Sequence, residues 1–135
     1  MAKITTELVA LADYAMTGED KKLSVIGIFD KLFVRQLPSN HARMSFVVTF
    51  VGEARATEDV KLKIVTPSGK EDFTADVKLA FGENGKFNFV SNFEGFPIQE
   101  VGAYTLVFEQ GKSKIVSYTL DVIQVKDDSG SKVAN

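Results

Sequence analysis

With 135 residues, a formal net charge of -2 and a pI near 5.4, the chain has the length of one domain and lacks the basic excess that tracks phosphate, so no nucleic acid is expected as a partner. It contains no Cys, which removes disulfides, thiolate metal ligands and Cys nucleophiles and suits a reducing compartment. No run approaches the ~18 apolar residues of a membrane span. Glu7 and Asp13 interrupt the apolar stretch behind Met1-Ala2-Lys3 that a secretory signal needs intact, so a cytoplasmic location is the expectation.

Ile4, Thr6, Leu8, Ala10, Ala12 and Tyr14 form a period-2 face ahead of the turn signal Thr17-Gly18-Glu19-Asp20, which predicts a first strand. The stretch from Leu23 to Val34 follows. It carries charge only at Asp30 and Lys31 and sets apolar residues on both parities. Its reading is a central core strand covered on both faces, or one that changes face at Gly27 or at Asp30-Lys31, where a bulge would fit. Gln36 to Ala42 is a loop, with Pro38 stopping ladder pairing. Met44, Phe46, Val48 and Phe50 alternate cleanly, and Val60, Leu62 and Ile64 form another strand. Thr66-Pro67-Ser68-Gly69-Lys70 is a tight turn. Phe73 to Phe81 alternates again, and Asn84-Gly85 signals a two-residue hairpin before Phe87, because such turns want positive φ at both residues. That strand ends at Gly95 to Ile98. Gly102–Glu109 and Lys114–Val125 complete the set, and residues 126–135 read as a flexible C-terminal tail.

About eight short strands with regular turns and no helical period predict an all-β, single-domain antiparallel β-sandwich over residues 1–125. Tyr104, in Gly102-x-Tyr104-x-Leu106 behind Phe96-Pro97-Ile98, has the placing of the tyrosine corner of immunoglobulin-like sandwiches.

Three segments in order, Leu11-Ala12-Asp13-Tyr14-Ala15, Lys22 to Lys31, and Leu37-Pro38 ahead of Arg43 to Phe50, resemble a family of small bacterial and phage-related proteins that form a domain of unknown function. The resemblance implies a β-sandwich and carries no activity with it.

Few residues suit catalysis. His41 is the single His, so a Ser-His-Asp set has one candidate base, no Gly-x-Ser-x-Gly elbow accompanies it, and a zinc site lacks ligands. Asp13 and Asp30 are the acids most embedded in apolar sequence and read as polar ties that need a basic partner such as Lys31, Arg35 or Arg43. With Gly27 and Tyr104 they are the structural candidates. If the strands alternate up and down, the loops at 36–42, 67–70 and 93–100 share one end, where Leu37, Pro38, Asn40, His41, Phe93, Phe96, Pro97 and Gln99 suit contact with a protein partner. The other reading of Phe93 and Phe96 is that they fold back and seal the core. The opposite end would gather Glu19, Asp20, Glu58, Asp59 and Glu83. Calcium or a small ligand there, on Asp20, Asp59 and Glu83 above all, is the alternative. A hydrolase is the weaker one. A non-enzymatic interaction or structural module without a cofactor is the leading expectation. The Thr-rich segments Ile4–Thr6 and Ser117–Thr119 read as exposed edges through which a homodimer could pair.

Overall fold

Period-2 alternation of large apolar side chains forces two sheets to bury one face each against the other. The computed structural model describes residues 3–126. These residues form nine strands: β1 (Thr5–Thr17), β2 (Leu23–Phe29), β3 (Lys31–Val34), β4 (Ser39–Val51), β5 (Thr57–Val65), β6 (Glu71–Ala80), β7 (Lys86–Ile98), β8 (Gly102–Gln110) and β9 (Ser113–Gln124). One sheet has the order β2-β1-β4-β7, the other β3-β9-β8-β5-β6. The fold is an immunoglobulin-like β-sandwich. Of the expected tail at 126–135, all but Lys126 lies outside the described residues.

Between the sheets the core is aromatic. The Phe108 ring of β8 stacks on Phe46 of β4 at 6.0 Å and meets Phe50 and Phe89 edge-on at 5.0 and 5.1 Å. Leu11, Met44, Leu62, Ile64, Leu79, Leu106 and Leu120 fill the space around them, each at most 1% exposed. Tyr104 forms the expected corner. Its ring is 1% exposed, and its hydroxyl donates to the Glu100 carbonyl at 3.0 Å, which fastens the loop before β8 to the strand it precedes.

Four sequence expectations need correction. First, Leu23–Val34 is no central strand. It breaks at Asp30 into β2, an edge of the first sheet, and β3, an edge of the second. The apolar residues on both parities are therefore split between an inner face and an outer one that stays open, with Ile26 and Ile28 61% and 62% exposed. The face change expected at Asp30-Lys31 does occur, as a change of sheet. Second, β3 pairs with β9 in parallel, so the sandwich is not purely antiparallel. Third, β4 starts at Ser39 and β7 runs through to Ile98, so most of the expected loops at 36–42 and 93–100 are paired strand, from Ser39↔Ile98 upward. Pro97 is tolerated there because β7 is an edge strand. Fourth, Asn84-Gly85 makes a turn but no hairpin. β6 and β7 lie in different sheets, and of the two turn residues only Gly85 has a positive φ.

Replacing Tyr104 with Phe removes the corner hydrogen bond while keeping the ring. The expected loss is about 1 kcal/mol, read as a lower urea midpoint with an unchanged m-value.

Candidate functional site

Ladder pairing brings the two expected contact segments together: Asn40 lies opposite Pro97 and His41 opposite Phe96. They do not form one exposed patch. Phe96 is 6% exposed, its ring edge-on to Tyr104 at 5.9 Å and to Phe93 at 6.1 Å. Phe93 is half-buried and meets Phe73 at 5.8 Å. Strict alternation would turn Phe93 and Phe96 to opposite faces. Gly95, at φ +66, takes the left-handed conformation that a side-chain-bearing residue avoids, and both rings turn inward. The core-sealing reading is therefore the one that holds for these two rings. Leu37 is also half-buried and packs on the core. Pro38, Asn40, Pro97 and Gln99 remain exposed.

The open feature at this end lies beside His41. β1 reaches β4 only as far as Ala12↔Ser45, so the segment Ser39–Met44 is paired to β7 on one side and faces β3 on the other. Two grooves run along that gap, of about 260 Å³ and about 480 Å³. Leu32, Phe33 and His41 line both of them. Arg35 and Asn40 add to the first, Asp13, Lys31 and Arg43 to the second. His41 is half-buried, and its ring sits 5.9 Å from Phe29 with the planes tilted by 57°. The Arg43 guanidinium lies 5.0 Å from the centre of the Tyr14 ring, a cation–π distance. Phe29, Leu32 and Phe33 are not among the expected contact residues, and Arg43 is expected only as a partner for a buried acid, because Asp30-Lys31 marks a change of face but not that the chain joins β9 and carries β3 past His41.

Asp13 and Asp30 are not buried ties. Both are exposed. Asp13 stands across the β1–β2 ladder from Gly27, so close that a Cβ on Gly27 would fall 2.5 Å from its Oδ2. Gly27, at φ +74, is thus required by backbone shape and by its neighbour. Asp30 acts through its backbone: its carbonyl accepts from the Asp121 N–H at 2.9 Å. Beside it the Tyr118 hydroxyl donates to the Phe29 carbonyl at 2.8 Å. Burial raises the Tyr118 hydroxyl above the usual tyrosine range, the Leu11 backbone opposes that, and the negative charge of Asp30 adds to it.

The acids proposed for calcium do not gather. β1 runs antiparallel to β4 with Thr5 opposite Val51, so the turn carrying Glu19 and Asp20 hangs at the end where β4 begins. Asp59 and Glu83 lie at the end where β4 finishes. The up-and-down count failed because β2 and β3 are two strands where the sequence suggested one. Three of the five also have a basic neighbour: Asp20 with Lys22 at 4.0 Å, Asp59 with Lys78 at 3.3 Å, Glu83 with Arg55 at 3.3 Å. Glu58 accepts from Gln110 at 2.9 Å. Among the described residues no group of three or more His, Cys, Asp or Glu could hold a metal ion.

Residues 7–123 match the model of a family described as "Family of unknown function (DUF6941)". No curated protein matches the chain. Among solved structures it is similar to an immunoglobulin-like protein, PA1606, of Pseudomonas aeruginosa, at 14% identity and a TM-score of 0.51, covering 90% of this chain and 97% of that one. It is similar to the alkylpurine DNA glycosylase AlkC of Pseudomonas fluorescens, bound to DNA with an abasic site analog, at 12% identity and a TM-score of 0.52, covering 90% of this chain and 31% of that one. It is also similar to a β-glucosidase of Listeria innocua in complex with isofagomine, at 10% identity and a TM-score of 0.51, covering 93% of this chain. The chain spans only 16% of the β-glucosidase. At these identities the likenesses show the fold alone.

Two outcomes follow from this geometry. Phe96→Ala opens a cavity under Tyr104 and is expected to lower stability by about 3–5 kcal/mol, whereas Pro97→Ala and Asn40→Ala stay within about 0.5 kcal/mol; urea denaturation of the three variants distinguishes them. For Tyr118, a raised folded-state pKa means that its contribution to stability is present below the unfolded value near 10 and is lost as pH rises through the folded value. The denaturation midpoint is expected to fall above about pH 10, and Tyr118→Phe is expected to remove part of that fall.

Proposed function

We propose that this chain, which belongs to the family of unknown function DUF6941, is a non-enzymatic protein-interaction module that holds a partner segment in the gap between β3 and the first half of β4. The observation that carries the reading is the open side of Ser39–Met44, where backbone unpaired by β1 lies beside the grooves lined by Leu32, Phe33 and His41. An extended segment entering there meets strand backbone for main-chain hydrogen bonds and apolar side chains for specificity, the recipe of strand-addition recognition. Lys31 and Arg43 border the second groove, so the favoured segment is extended, apolar and acidic. The single His and the absence of Cys support a module without nucleophilic chemistry. The four Phe rings that brace the core beneath supply the rigidity a binding scaffold needs. Of the expected contact residues, Asn40 and His41 line these grooves, whereas Pro97 lies on β7, across β4 from the gap.

The test is affinity capture from the native host with the parent chain and with His41→Glu as baits, after both are shown to melt alike. Capture is followed by hydrogen exchange of the recovered complex. The expected result is a protein retained by the parent, lost by His41→Glu, and protecting amides within residues 39–44. Equal retention by both baits, or protection confined to another region, overturns the reading.

A further inference from the structure

The outer faces of the two sheets are finished differently. On the second sheet, cross-strand ion pairs cover the surface: Lys61 with Asp76 at 3.9 Å, Lys78 with Asp59 at 3.3 Å, and Lys63 between Glu109 at 3.0 Å and Glu71 at 3.6 Å. On the first sheet, the outer side of β1 and β2 shows Tyr14, Met16, Ile26 and Ile28, exposed by 38%, 42%, 61% and 62%. Tyr14 lies directly opposite Ile26 in the ladder, so the exposed apolar residues are contiguous and reach the sheet edge.

That edge is the unguarded one. Natural edge strands are blunted with charge, Pro or short length. β6 carries Glu71, Asp72, Asp76 and Lys78, β7 carries Lys86, Glu94 and Pro97, and β3 has four residues beginning with Lys31. β2, Leu-Ser-Val-Ile-Gly-Ile-Phe, has seven residues and no charge or Pro. Among the described residues its ladder partner is β1 alone, so its other side presents backbone donors and acceptors with no strand partner, the Phe29 carbonyl being held by the Tyr118 hydroxyl.

We propose that β2 is a homodimer interface, in which the β2 strands of two copies pair antiparallel about a two-fold axis at Ile26 and join the two four-stranded sheets into one. The sequence around β2 is self-complementary in that register. Ile26 faces Ile26, and Ser24 faces Ile28 of the other copy, so the exposed apolar side chains continue across the axis on one face. Val25 faces Gly27, whose missing side chain leaves room for the branched one. Just outside the strand, Lys22 of each copy comes level with Asp30 of the other, giving two opposite-charge pairs. The Lys22 side chain is 84% exposed and only loosely held by Asp20 of its own turn, at 4.0 Å, and Asp30 is exposed at the bend. A register centred on Val25 would set Asp20 against Asp30, and one centred on Gly27 would set Lys22 against the buried Leu32. Charge thus selects a second copy of this chain, in one register, over an unrelated strand. The segments Ile4–Thr6 and Ser117–Thr119 do lack a ladder partner on one side, since β2 meets β1 only from Leu11 and β3 meets β9 only from Asp121. They carry no comparable self-complementarity.

The experiment is light scattering across a concentration series into the high micromolar range, on the parent and three variants whose melting temperatures are checked first. The parent is expected to pass from 14.8 kDa to twice that mass. Ile26→Lys, on an exposed side chain, is expected to stay monomeric because two ammonium groups then meet on the axis. Lys22→Glu is expected to weaken association about tenfold or more, and Lys22→Glu with Asp30→Lys to recover it. A parent that is monomeric throughout overturns the proposal. So does an Ile26→Lys variant that still dimerises, which would move association to another surface, and so does a double variant no stronger than Lys22→Glu.

Discussion

The constraint on which the architecture turns is the break at Asp30. Within a single residue the chain leaves the ladder with β1 and enters a ladder with β9. Three hydrogen bonds hold the crossing: Tyr118 to the Phe29 carbonyl at 2.8 Å, the Asp121 N–H to the Asp30 carbonyl at 2.9 Å, and the Val125 N–H to the Val34 carbonyl at 2.9 Å. One short stretch therefore clamps both sheets at the corner where they would otherwise part. With Phe46 and Phe108 stacked between the layers, the clamp leaves little freedom in how the sheets face each other. The interior is well satisfied, since among the described residues no buried side-chain nitrogen or oxygen lacks a hydrogen-bond partner.

The same crossing creates every open feature of interest. Because the chain departs at Asp30, β2 ends as an edge strand with no further strand beyond it among the described residues. Because β3 attaches to β9 and not to β4, the first half of β4 keeps one side unpaired and the grooves around His41 exist. The surface chemistry divides accordingly. The second sheet is finished with ion pairs, each worth little to stability when exposed but effective in keeping its face wet and its β6 edge unattractive to another strand. The first sheet, around β2, has neither safeguard.

Much of the fold was legible in the sequence. Alternation at Val60–Ile64 and Phe73–Leu79 reported half-buried strands directly, that at Met44–Phe50 reported a strand whose both faces prove buried, and the spacing around Tyr104 gave the corner. Leu23–Val34 was the stretch that misled. A run with apolar residues on both parities reads the same whether two buried faces or one buried and one open face lie behind it. The discriminating facts, which strand lies beside it and where it changes sheet, are long-range and leave no local mark beyond Asp30-Lys31. The same gap explains the site. Asn40 and His41, expected in a loop at the same end as Pro97 and Phe96, pair with them as strand, and the left-handed Gly95 that turns Phe96 into the core is a backbone property. The acidic end failed for a counting reason, since one strand more or fewer inverts which loops share an end.

The claim at the centre of this account is that residues 23–29 form an edge strand and that the chain changes sheet at Asp30. Hydrogen exchange at single-residue resolution, in dilute solution, tests it most directly. Alternate amides of β2, those turned away from β1, are expected to exchange nearly as fast as unstructured chain, while the amides of Asp121 and Val125, bonded to the far side of the break, exchange slowly. Uniform strong protection from Leu23 to Val34 in a monomer would mark a central strand and contradict the account.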